Sequence, residues 1–247
     1  MLFRSKPPNA TRAAIREMAS PRVGAAGRER LTLTGIKPLD RDIWERVGVI
    51  DSPETLSHWL ERLSKANWVA VDTEADSLHA YPEKLCLLQL SIEGDDVLID
   101  PLCGNDLSRL WMSLAPRELI LHGADYDLRL LRKNASFVPA RIFDTMIASR
   151  LLGDREFGLT NLVQKYLGLT LEKGPQKANW ARRPLTPRME DYARNDTRHL
   201  KALADLLRNG LESKGRLSWH AECCAKRSEE HTSELQSPCN LVCRLLL

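Results

Sequence analysis

The sequence predicts an α/β domain: a mixed sheet, part antiparallel meander and part parallel, with helices on both faces. Three observations carry this reading. Three apolar runs, within residues 68–74, 85–92 and 97–99, follow one another without a helical pattern between them, as strands of a meander do. Beyond residue 100 the pattern changes to helix alternating with strand, which is how parallel strands are joined. The intervening segments repeat their apolar residues at helical spacing.

Taken in order, residues 1–39 form a basic arm. Arg4, Lys6, Arg12, Arg16, Arg22, Arg28 and Arg30 face only Glu17 and Glu29 across its first 36 residues. With three prolines and few large apolar groups, such an arm buries too little surface to order itself, so disorder is expected. An organelle transit peptide shares this composition and stays open as an alternative. Order is expected from Asp40, and the main domain over 40–215. Ser52-Pro53-Glu54 reads as a helix start, with Ser52 as N-cap and Pro53 at the first helical position; Leu56, Trp59, Leu60 and Leu63 then lie on one face. That helix leads into the strand Trp68-Val69-Ala70-Val71-Asp72-Thr73-Glu74. Leu85-Cys86-Leu87-Leu88-Gln89-Leu90-Ser91-Ile92 is the second strand, Gly94-Asp95 a turn, and Val97-Leu98-Ile99 the third. Residues 107–114 are helical, Leu119-Ile120-Leu121 is a strand ending at His122-Gly123, residues 125–132 are helical and Ile142-Phe143 is a short strand. Further helices are expected over 145–152, 159–167 and 187–211. Residues 216–226 read as a linker cut short. From Arg227 onward the chain matches a translated reading frame of a short-read sequencing adapter, so 227–247 is set aside as foreign to the fold.

Composition narrows the class. The hydrophobic fraction of 43% suits a globular protein, and 36 basic against 33 acidic residues give a net charge of +3, too mild to demand a polyanion partner. No apolar stretch is long enough to span a bilayer. Six cysteines show no metal-site spacing and follow no secretory signal, so reduced thiols and a cytoplasmic location are expected, with neither membrane nor obligate protein partner indicated.

The first strand carries the chemistry. Alternate residues of a strand point the same way, so Asp72 and Glu74 share a face. Two carboxylates side by side at the end of a core strand repel each other and lose hydration. A divalent cation relieves both costs, and hard oxygen ligands suit Mg2+ or Mn2+ better than zinc. An isolated Asp-x-Glu is more often a strand end that reaches solvent, so the partners decide. Asp127 lies where a strand meets a helix, in His122-Gly123-Ala124-Asp125-Tyr126-Asp127. Asp196 lies four residues after Tyr192, which sets phenol and carboxylate on one helical face.

With these residues in order, the chain resembles ribonuclease D and the DEDD group of 3′-5′ exonucleases, in the subgroup with tyrosine in its third motif. Asp72 and Glu74 match the first motif, Asp127 the second, Tyr192 and Asp196 the third. Leu88-Gln89-Leu90, Asp144-Thr145, Gly158-Leu159-Thr160-Asn161-Leu162, Trp180 and Arg183-Pro184-Leu185 match further blocks, and the likeness spans about 51–211. It implies a ribonuclease H-like fold and two divalent metal ions, Mg2+ or Mn2+, bridged by Asp72, with Glu74, Asp127 and Asp196 completing their shells and Tyr192 orienting the attacking water. It also implies a 3′-5′ exoribonuclease acting on RNA 3′ ends, as in tRNA processing. A DNA exonuclease of the same fold and a catalytically silent nucleic-acid-binding domain are the alternatives.

Beside such a site, Lys173, Lys177, Arg182, Arg183 and Arg188 are expected near phosphate, and Gln89 on the floor under the terminal nucleotide. Lys173, Arg182, Arg183 and Gln89 are therefore the expected substrate contacts. Asp125 and Asp144 read as helix caps, Trp180 as packing, His122 as a hydrogen-bonded structural group and His199 as surface.

Overall fold

Apolar residues on opposite sides of one twisted sheet build this fold. A computed structural model describes residues 49–233, with side chains through 228; the basic arm over 1–39, Cys239 and Cys243 lie outside the described residues. The strands are β1 (Trp68–Ala75), β2 (Leu85–Ile92), β3 (Asp95–Ile99), β4 (Glu118–Leu121) and β5 (Arg141–Asp144), in spatial order β3-β2-β1-β4-β5. The pairs β1–β2 and β2–β3 are antiparallel, while β4 and β5 run parallel to β1. The expected mixed sheet is therefore observed.

The pleat of β1 sorts its side chains. Val69 and Val71 join a core with helix α1 (Pro53–Leu63), helix α2 (Ser108–Leu114) and helix α3 (Asp125–Ala135). Ala70 faces the other way, into a core with α4 (Thr145–Leu152), α5 (Leu159–Leu167) and α7 (Leu200–Ser213). Asp72 and Glu74 continue the Ala70 face. On that face α6 (Pro187–Arg198) lies across β2 and β3, packing Met189 and Ala193 against Cys86, Leu87, Leu98 and Trp180.

Local signals start several helices, at Ser52 and Asp144 as expected and at Thr186 as well. Ser52 accepts from the Thr55 amide ahead of Pro53, and Thr186 accepts from the Met189 amide ahead of Pro187. Asp144 caps α4 through the Met146 and Ile147 amides. Two expectations are corrected. The helix read as continuous over 187–211 breaks at His199 (φ −99°, ψ −4°), and His199 is half-buried at that junction. Of residues 216–226, read as a linker, all but Arg216 belong to helix α8 (Leu217–Ser233), which runs on into the adapter-like stretch. It docks through His220, whose ring stacks on Phe143 at 4.2 Å and whose Nε2 lies 3.0 Å from the Asp144 carbonyl oxygen. A helix buried through His220 and Cys224 rather than through leucines has a weak apolar period.

Candidate active site at the end of β1

Asp72 and Glu74 lie at the end of the β1–β2 ladder, opposite Gln89 and Leu87, just before its register becomes irregular between Glu74 and Ala75. Helix α6 brings Asp196 over them. One carboxylate oxygen from each of Asp72, Glu74 and Asp196 falls within 4.8 Å of the other two. The helix is clamped there by Ser91 Oγ, which donates to Thr197 Oγ1 at 2.8 Å, and by Arg198 Nε, which donates to Asp96 at 2.7 Å. Asp127 arrives differently. It sits in the first turn of α3, buried, and accepts a hydrogen bond from Thr73 Oγ1 at 2.5 Å. The start of α3 is held by Asp144, which accepts from the Gly123 and Ala124 amides at 3.0 and 2.9 Å. Three carboxylates are thus gathered, and the fourth stands beside them on a hydroxyl.

Their electrostatics express the crowding. Burial first, and then repulsion from Asp127, Asp196 and Glu74, hold the Asp72 carboxyl well above the usual range. Burial with repulsion from Asp196 and Asp127 pushes Glu74 up to about 9. Asp127 and Asp196 are raised to about 7, chiefly by burial. In the absence of a cation these groups retain protons that the unfolded chain, with carboxyl pKa near 4, releases. Their contribution to stability is therefore complete below about pH 4 and is lost as pH rises toward about 9. We expect the melting temperature in chelator to fall steadily from pH 5 to pH 9, and saturating Mg2+ to abolish most of that fall; a flat profile in chelator would contradict the crowding.

Tyr192 lies one helical turn before Asp196, with its hydroxyl facing the Asp196 carboxylate and the Gln176 side chain. Burial, then the neighbouring Asp196, push its phenol upward, so it stays protonated. The ring is gripped from two sides. Trp180, buried, stands 6.2 Å away between centroids, and the backbone of Gly174 passes so close that a Cβ there would overlap the ring carbons. Gly174 and Gln176 were not singled out from sequence; a lone glycine in a charged loop carries no local signal. The same holds for Thr73. All of this opens on a cleft of about 720 Å³, lined also by His122, Asn161, Lys173 and Asn195. His122 is anchored through Nδ1 to Thr145 Oγ1 at 2.9 Å, and burial lowers its pKa.

Residues 47–212 match the sequence profile of the 3′-5′ exonuclease family. The chain belongs to this family. Ribonuclease D of Zymomonas mobilis is 37% identical over 176 residues, which is 69% of this chain and 45% of that protein. The chain therefore spans about half the length of that relative. Among solved structures, Escherichia coli RNase D, described as an exoribonuclease involved in structured RNA processing, superposes with a TM-score of 0.70 at 28% identity over 74% of this chain and 50% of the other. Brucella melitensis NrnC with bound Mg2+ superposes with a TM-score of 0.63 at 25% identity, over 70% and 88% of the two chains. The expected ribonuclease D-like exonuclease fold is thereby established.

Within this exonuclease domain the expected substrate contacts part company. Lys173 lines the cleft. Arg182 is exposed but is not among the lining residues. Gln89, expected on the floor, is fully buried beneath it and cannot meet a nucleotide directly. Arg183 is committed to the fold: Nε and Nη2 bind the Asp100 carboxylate at 2.5 and 2.7 Å, Nη2 also donates to the Cys86 carbonyl, and Nη1 to the Trp180 carbonyl. It staples the loop under Tyr192 to β2. With Asp100 nearly buried and the Arg183 side chain 28% exposed, Arg183→Ala should cost roughly 2–3 kcal/mol, below the 3–5 typical of a fully buried pair. Urea denaturation measures this, and Arg183→Lys should recover little of it because one ammonium cannot replace the fork.

Proposed function

We propose that this chain is a metal-dependent 3′-5′ exoribonuclease that removes nucleotides from RNA 3′ ends, as in tRNA-type processing, and acts in the cytoplasm. The observation that carries this reading is the meeting of Asp72, Glu74 and Asp196 with the Tyr192 hydroxyl on one open cleft. The relatives named ribonuclease D and exoribonuclease support RNA as the substrate.

The donor set fits Mg2+ or Mn2+: every candidate ligand is a hard carboxylate oxygen, and a cation would relieve the crowding that otherwise holds protons on the cluster. Asp72, Glu74 and Asp196 would hold the ions, with Asp127 joining from its place on Thr73. Two such ions, when bound, stabilise charge on the attacking and leaving oxygens together. The protein's own groups do the rest. Tyr192, neutral and fixed between Asp196 and Gln176, orients the attacking water by a hydrogen bond rather than taking its proton. Lys173 offers an exposed cation at the cleft mouth for phosphate. Among the described residues no helix is long and apolar enough to cross a membrane.

The test is to incubate the purified chain with matched 3′-labelled RNA and DNA in Mg2+, Mn2+ or chelator. Release of labelled mononucleotide from RNA, dependent on cation, is the expected result. Activity surviving exhaustive chelation would overturn the metal site. A preference for DNA would make it a DNA exonuclease, and binding without cleavage in either cation would make it a silent binding domain.

A further inference from the structure

Gln89 is a buried amide of the central sheet for which the fold supplies no hydrogen-bond partner. It is fully buried, and neither its amide nitrogen nor its amide oxygen has a hydrogen-bond partner. Such a group is destabilising, since both atoms have surrendered water for nothing. Its place is specific. In the antiparallel β1–β2 ladder Gln89 stands directly opposite Asp72, with Leu98 opposite it on β3. Directly paired residues share a face of the sheet with Cβ atoms about 5 Å apart, within reach of a glutamine side chain. Above that face lies α6, whose Ala193 and Thr197 are buried and whose Asp196 completes the cluster. The neighbouring polar residue on the same face of β2, Ser91, is satisfied by Thr197. Gln89 is therefore left unsatisfied under the carboxylates, whereas Ser91 and Thr197, one step along the same face, satisfy each other.

We propose that Gln89 is a positioning residue for Asp72, its amide N–H donating to the carboxylate, directly or through one buried water, once Asp72 is engaged by cations. A ligating carboxylate accepts only, and the lone pairs it does not give to metal need a donor in a buried site. The isolated amide is then the counterpart of the cation-bound state, left without a partner until that state forms. This inference rests on the metal reading given above.

The experiment follows melting temperature, not turnover, during titration with MnCl2 for the wild type, Gln89→Met, Gln89→Leu and Leu98→Ala. Removing the unpaired amide should raise the melting temperature in chelator by roughly 2–6 °C. It should also raise the Mn2+ concentration for half of the cation-induced shift about tenfold, within the range lost with an outer-shell partner. Leu98→Ala, which loosens the same packing without touching a polar group, should lower the melting temperature and leave that concentration unchanged. An unchanged half-point in both Gln89 variants would overturn the inference, and so would a tenfold rise in Leu98→Ala, which would reduce the effect to packing. Failure of both Gln89 variants to fold would overturn it as well, because loss of an orphaned polar group cannot unfold the domain. A wild type that shows no Mn2+-induced shift would instead overturn the metal reading itself, and is seen without reference to any variant.

Discussion

Asp72→Asn should reduce hydrolysis by a factor on the order of 10⁴ or more while leaving the fold intact, since metal-assisted charge stabilisation supplies several kcal/mol to such a reaction. Asp72 is the residue the other three carboxylates have in common: it is repelled by Asp127, Asp196 and Glu74 together. Asparagine keeps its shape and removes its charge. Two measurements separate this from damage to the structure. In chelator at pH 7 the variant should melt above the wild type, because folding no longer has to take up a proton on a buried carboxyl that its neighbours disfavour in charged form. With Mg2+ the wild type should gain stability and the variant should gain little. Near-wild-type turnover would remove Asp72 from the site, and a collapse in chelator would show that it serves packing instead.

Tyr192→Phe should lower turnover by a factor of about 10² to 10⁴, the usual consequence of losing a positioned acid–base group. The substitution deletes one hydroxyl. It keeps the ring between Trp180 and Gly174, and it leaves Asp72, Glu74, Asp127 and Asp196 in place. RNA affinity and the Mg2+-induced rise in melting temperature should therefore hardly move, and kcat should carry the loss. If Tyr192 were a packing residue the ring would suffice and turnover would be preserved. In that event water orientation would pass to His122, which lines the same cleft and is anchored by Thr145.

Much of this site was open to reading from local pattern alone. A strand's period of two sets Asp72 and Glu74 on one face, and a helix's period of 3.6 sets Tyr192 beside Asp196. Ser52, Asp144 and Thr186 stop or start helices through their own side chains within three residues, so the positions of α1, α4 and α6 follow from short-range chemistry. The order of the motifs along the chain then pointed to one family, and the profile match over 47–212 agrees.

What sequence by itself determined was therefore every feature whose cause lies within a few residues: the strands, most helix starts and the two pairs Asp72/Glu74 and Tyr192/Asp196. Tertiary structure decided which distant group each side chain meets. Arg183 offers the same charge to a phosphate or to a carboxylate, and only the fold, bringing Asp100 across 83 residues, commits it to the latter. Asp127 meets Thr73 from 54 residues away and so stands apart from the three gathered carboxylates. Helix α8 docks through His220 and Cys224, residues whose burial no apolar period announces. Gln89 has an ordinary polar side chain in the sequence and an unsatisfied one beneath Asp72 in the fold. The reason is common to all four: a period along the chain reports backbone geometry, while the partner of a charge or an amide depends on which surfaces the whole sheet and its helices bring together.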